Sequence, residues 1–116
     1  MNIIKISTYQ KMLSEIHNGK RHSIIKFSGK NCKACKKMNE RLLEIKDLSV
    51  DVYDVDHYEN KMISRLFSVR ILPTAVFIED GMPMARMSGL SEADEFLTTV
   101  KDVVVHGCQV IDWDHQ

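Results

Sequence analysis

The stretch that most constrains this chain is Ser28-Gly29-Lys30-Asn31-Cys32-Lys33-Ala34-Cys35-Lys36-Lys37-Met38. The apolar run before it, Ser23 to Phe27, reads as a buried strand. After it, Cys35, Met38, Leu42 and Ile45 recur at 3-4-3 spacing, which is one face of a helix. Cys32 therefore falls where a strand hands over to a helix, with its sulfur near the helix's first free N–H groups. Those donors and the helix dipole favour an anion. Lys30, Lys33, Lys36 and Lys37 add positive potential to the same few residues. A free cysteine titrates at about 8.5, and surroundings of this kind can bring it to roughly 3.5–7.5. A thiolate is the nucleophile of disulfide exchange, and Cys35, one turn on, is close enough to close a disulfide with it. The stretch reads as a site for dithiol–disulfide chemistry.

Taken in order, the rest of the chain supplies a frame for that junction. Asn2 to Ile6 is a short β-like segment. Ser7 or Thr8 can cap a helix with apolar positions Tyr9, Met12, Leu13 and Ile16, ended by Asn18-Gly19. Val50, Val52, Tyr53 and Val55 are β-rich without clean alternation, as in a strand covered on both faces. Glu59 to Ser68 reads as a helix with Met62, Ile63, Leu66 and Phe67 inward. Ala75–Glu79, Asp80-Gly81 and Met84–Ser88 read as a hairpin, because Asp-Gly is a strong turn signal. Ser91 can cap a last helix with Phe96, Leu97, Val100, Val103 and Val104 buried, ended by Gly107. The order β-α-β-α-β-α-β-β-α predicts an α/β fold, a central mixed sheet flanked by helices: alternation implies parallel pairing, and the final hairpin adds an antiparallel edge.

Composition narrows the function classes. A chain of 116 residues fits one domain, expected over residues 1–107 with a tail at 108–116. Sixteen basic and sixteen acidic side chains cancel, so nothing overall points to nucleic acid. No apolar run approaches the ~20 residues of a membrane span, and the first residues lack a signal-peptide pattern. The expected compartment is therefore the cytoplasm, where a cysteine pair is more often catalytic or metal-binding than a structural staple. A zinc half-site at Cys32 and Cys35 is disfavoured, since no second C-x-x-C or histidine pair stands at ligand spacing.

At this point the chain resembles a thioredoxin, from about Ile3 to Val105. Beyond the Cys-x-x-Cys junction, Phe67-Ser68-Val69-Arg70-Ile71-Leu72-Pro73-Thr74 is similar to the family segment ending in a cis-proline followed by Thr. The Asp80-Gly81 turn and the Ser88-Gly89-Leu90 step also fall at the family's spacing. The resemblance implies a thiol–disulfide oxidoreductase, with no cofactor other than a redox-active Cys32–Cys35 disulfide. Cys32 would attack a substrate disulfide, and Cys35 would then attack Cys32 and release the reduced substrate. Pro73 would face the sulfurs, Leu72 would pair with an extended substrate segment, and Gly89 would leave room for it. The implied partners are protein disulfides, with a thioredoxin-reductase-like enzyme or a small thiol as electron donor, and the chain is expected to act as a monomer.

Departures from the family pattern tune this chemistry. Asn31, at the edge of the substrate surface, replaces the usual Trp, and Lys33-Ala34 replaces Gly-Pro. Losing that proline frees an N–H that can bond a thiolate, and Lys33 adds a charge. Both favour the reduced form and a more oxidising disulfide. Lys26 holds the place of a buried Asp that manages the proton of the second cysteine, and Asp54 on a neighbouring strand is its candidate partner. Lys26 either tunes Cys35 or snorkels with its ammonium wet. His57 reads as a loop residue, Cys108 as a passive thiol, and most of the seven Met residues as core filler. Trp113 belongs to the tail. Two other functions compete: a thioredoxin-fold binding module whose redox activity is secondary, and a glutaredoxin-like use of glutathione.

Overall fold

The strand expected at Ser23–Phe27 forms the middle of a five-stranded sheet in a computed structural model of the chain, which describes residues 1–107. The tail at 108–116, with Cys108 and Trp113, lies outside the described residues. In chain order the elements are β1 (Asn2–Ile6), α1 (Tyr9–Asn18), β2 (His22–Ser28), α2 (Lys33–Leu42), β3 (Asp51–Asp56), α3 (Lys61–Leu66), β4 (Thr74–Glu79), β5 (Met82–Ser88) and α4 (Ala93–His106). Short 3-10 turns at Leu43–Ile45 and Leu90–Glu92 extend α2 and lead into α4. The strand order is β1-β3-β2-β4-β5. β3 runs parallel to both β1 and β2, while β4 is antiparallel to β2 and β5. This is the mixed sheet that the alternation of elements predicts.

The period-two alternation of strand side chains divides the core into two. Ile24, Val52, Ala75, Phe77 and Met87 meet Met38, Leu42, Phe96, Leu97 and Val100 from α2 and α4. Ile25, Phe27, Tyr53, Val55 and Val76 meet Met12 of α1 and Ile63 of α3 on the other face. All four apolar positions read for the cysteine helix (Cys35, Met38, Leu42, Ile45) are buried. At the hairpin, Asp80 and Gly81 both take positive φ, 49° and 83°, as the tight turn requires. β5 is an edge strand with a register shift against Phe77/Ile78, and it tolerates Pro83 there.

Three expectations are corrected. Leu13, Met62 and Leu66 are exposed rather than inward. The helix expected over 59–68 is shorter because the Asp56 carboxylate accepts the Tyr58 and Glu59 N–H groups, holding those residues in a turn. Starting at Lys61, the helix turns Ile63 toward the core and leaves Met62 and Leu66 outside. Ser91 does not cap α4. The chain enters through the 3-10 turn, Glu92 takes the cap position, and its carboxylate accepts the Ser88 N–H at 2.6 Å instead.

Candidate active site

Cys32 occupies the N-cap of α2, where its Sγ accepts the Cys35 N–H at 3.1 Å. The orphan donors at a helix start are thereby aimed at the sulfur. Cys32 is partly exposed and Cys35 is buried, and the two are joined in a disulfide with Cα atoms 5.2 Å apart. Asn31, just before, has φ 60°. Asn is among the few non-glycine residues that visit this left-handed region readily, so it suits the bend that delivers Cys32 to the helix. No acidic residue stands in the first turn of α2. Lys30, Lys33, Lys36 and Lys37 are all exposed around it.

The loop from Phe67 to Thr74 is tied from several sides. Arg86 donates to the carbonyls of Phe67 and Ser68, the latter at 2.7 Å, and Thr74 Oγ1 donates to Ile71 O at 2.6 Å. The Leu72–Pro73 peptide is cis, and Pro73 is buried. Gly89 N–H donates to Pro73 O at 2.8 Å, joining the loop to the start of the last helical region. The N–H and C=O of Leu72 take no part in these bonds.

Lys26 is 3% exposed, which excludes the snorkelling alternative. Its ammonium donates to Asn39 Oδ1 and stands 3.3 Å from Asp54 Oδ1. Ser28 Oγ donates to the same carboxylate at 3.1 Å. Asn39 lies one turn beyond Cys35 on α2, so this polar cluster sits under the cysteine helix.

Sequence reasoning missed the other wall of the site. A cleft of about 340 Å³ beside Cys32 is lined by Lys30, Asn31, His57, Tyr58, Arg70 and Leu72, among others. The His57 backbone N–H donates to Ser28 O at 2.8 Å, and its ring meets Tyr58 edge-on with centroids 5.0 Å apart. The Tyr58 ring also crosses Gly29, where a Cβ would come within 2.7 Å of it. The signal that could have found these residues is position. In α/β sheets, ligand sites gather at the carboxyl ends of strands, and His57 follows β3 directly. Among the described residues, no group of three or more His, Cys, Asp or Glu is placed to hold a metal ion, and no helix is long and apolar enough to cross a membrane.

Comparison with curated proteins finds no match. Among solved structures, the thioredoxin of Malassezia sympodialis (Mala s 13) matches at TM-score 0.72 and 23% identity, over 88% of this chain and 93% of that one. A mutant thioredoxin from Halobacterium salinarum matches at TM-score 0.74 and 19% identity, over 96% and 95%. Thioredoxin O2 from Arabidopsis thaliana in its oxidised state gives 0.76 and 19%, over 89% and 95%. These likenesses establish the fold. The model of the thioredoxin-like domain family matches residues 9–104, most of the chain. With its Cys-x-x-Cys pair at the head of α2, the chain belongs to the thioredoxin-like domain family, and at family level it is a thiol–disulfide oxidoreductase.

Proposed function

We propose that the protein reduces or exchanges protein disulfides through Cys32 and Cys35. The observation that carries this reading is the placement of Cys32 Sγ at the α2 N-cap, partly exposed and bonded to a buried Cys35. In the reduced protein, the Cys32 thiolate attacks a substrate sulfur. A Cys32–substrate disulfide forms, and one substrate thiolate leaves. Cys35, as a thiolate, then attacks Cys32 Sγ, the second substrate thiolate leaves, and the Cys32–Cys35 disulfide closes. Two electrons pass to the substrate, whose two thiolates take up protons. Leu72 offers its backbone to an extended substrate segment, and Pro73 walls the sulfurs. A reductase or small thiol restores the dithiol, and the protein works as a cytoplasmic monomer.

Departures at Asn31, Lys33 and Lys26 set the poise. Ala34 in place of proline keeps its N–H, and Lys33 adds charge, so the reduced form gains. Equilibration against thiol–disulfide buffers tests the direction of flow: about −270 mV marks a reductant, and about −180 to −120 mV an isomerase or oxidant. Cys35→Ser should accumulate a Cys32-linked mixed disulfide with a protein substrate, whereas Cys32→Ser should form none. A protein with no reversible two-thiol transition would be a binding module instead.

A further inference from the structure

The cleft beside Cys32 has a charge character that the exchange reaction itself does not require. Lys30, His57 and Arg70 line it together with Asn31, and among the described residues no acidic side chain does. Two carboxylates at the end of β3 are engaged elsewhere. Asp54 meets Lys26 and Ser28, and Asp56 accepts the Tyr58 and Glu59 N–H groups.

Five other cations among the described residues have carboxylate partners: Lys20 with Asp51, Arg21 with Asp80, Lys26 with Asp54, Arg41 with Glu44 and Asp94, and Lys101 with Glu44. Lys30, Lys33, Lys36, Lys37 and Arg70 have none among the described residues. The chain as a whole is neutral, with sixteen charges of each sign, so this is local concentration and not general basicity. His57 Nδ1, on a residue that lines the cleft, is buried and has no hydrogen-bond partner among the described residues. A buried polar atom in that state needs a partner, and its residue lines the cleft.

We infer that this cleft binds a carboxylate carried beside the substrate's disulfide, so that the protein selects acidic disulfides. The inference rests on the oxidoreductase reading and adds its substrate class. Arg70 offers a planar fork that suits a carboxylate, Lys30 a mobile point charge, and His57 Nδ1 a hydrogen bond at the inner wall. Tyr58 gives the apolar part of the substrate a flat surface. The carboxylate has two sources with the same chemistry: a small acidic thiol's disulfide, or an acidic residue flanking a disulfide in a polypeptide.

The test compares rates at which the reduced full-length protein reacts with three small disulfides: dithiodipropionate (anionic), bis(2-hydroxyethyl) disulfide (neutral) and cystamine (cationic). Each rate is normalised to that of a free small thiol. The expected anionic-to-cationic ratio is about tenfold or more at low salt, falling as salt rises. Lys30→Glu/Arg70→Glu should collapse that ratio to about one, while the charge-matched Lys36→Glu/Lys37→Glu, outside the cleft, should keep most of it. Circular dichroism and the reduction potential check that both variants fold and cycle. Glutathione disulfide and a Glu-flanked peptide disulfide then separate the sources, since the true one loses more rate in the cleft variant. A wild-type ratio near one, or equal loses in the two variants, overturns the inference and leaves the oxidoreductase intact. No exchange with any disulfide overturns both.

Discussion

Lys26 and Asp54 stand opposite each other on the parallel strands β2 and β3, with Nζ 3.3 Å from Oδ1, on the sheet face that α2 covers. Their exposures are unequal, since the Lys26 side chain is 4% exposed and that of Asp54 23%. Removing one member of a buried pair strands the other, at a cost of up to about 3–5 kcal/mol. Asp54→Ala leaves a buried cation with Asn39 Oδ1 as its remaining partner. Lys26→Met strands a carboxylate that keeps Ser28 Oγ and some solvent. Asp54→Ala should therefore cost about 3 kcal/mol, and Lys26→Met roughly half of that. Urea unfolding of both variants and the double variant checks the order. A larger loss from Lys26→Met would mean that packing of its stem outweighs the charge.

The same lysine is proposed to tune the cysteines. Asn39 ties its ammonium to α2 one turn beyond Cys35. A cation there favours a Cys35 thiolate and with it the reduced form. Lys26→Met should shift the reduction potential in the reducing direction, on the order of 30 mV for a tenfold change in the equilibrium. It should also slow the resolution of a mixed disulfide. If potential and resolution rate both stay put, Lys26 serves stability alone.

Gly89 separates strain from contact. Its φ of +90° is glycine territory, and a Cβ would come within 3.3 Å of Ile71 Cδ1. Gly81, at φ +83°, has open space around it. Each Gly→Ala change should cost about 1–3 kcal/mol from backbone strain. Only Gly89→Ala should slow exchange, by pressing on Ile71 beside Leu72. Denaturation midpoints and exchange rates of the two variants, measured side by side, decide it. Equal slowing in both would assign the effect to general destabilisation.

Much of this architecture was legible in the sequence because local signals agreed with tertiary demands. The 3-4-3 spacing of Cys35, Met38, Leu42 and Ile45 gave a helix face that is wholly buried. Asp80-Gly81 gave the turn. The failures have physical causes. Met62 and Leu66 are apolar at helical spacing, but the Asp56 turn decides where α3 begins and so which side faces in. The Lys26 pairing could be anticipated from strand adjacency alone. For the cleft wall, only the place of His57 and Tyr58 at the end of β3 was readable; that Arg70, from the loop before β4, meets them beside Cys32 depends on β2, β3 and β4 lying side by side.

Helix α3 offers a direct check on that correction. Ile63 is buried at 2% exposure, whereas its neighbour Met62 is 66% exposed. Ile63→Ala should cost about 2–4 kcal/mol, by transfer and cavity terms together. Met62→Lys should stay within about 0.5 kcal/mol of the parent, as exposed substitutions do. A large loss from Met62→Lys would contradict the outward placement of that side chain.

Tyr53 links the far side of the sheet to alkaline stability. It is fully buried on β3, and its hydroxyl donates to Glu15 O at 3.0 Å, at the end of α1. Burial, and then the neighbouring Asp51 and Glu15 charges, push its phenol up to about 12. A raised folded-state value means that the native protein holds the proton more tightly than the unfolded chain. The stabilisation is complete below about pH 10, where the unfolded tyrosine titrates, and is lost progressively as pH rises toward the folded value. Tyr53→Phe removes the hydrogen bond, at a cost of about 1 kcal/mol near neutral pH. It also removes the ionisation, so the variant lacks that alkaline loss. The two stability curves should run apart at pH 7 and 9 and close together toward pH 11. Curves that stay parallel throughout would show that another group limits the alkaline side.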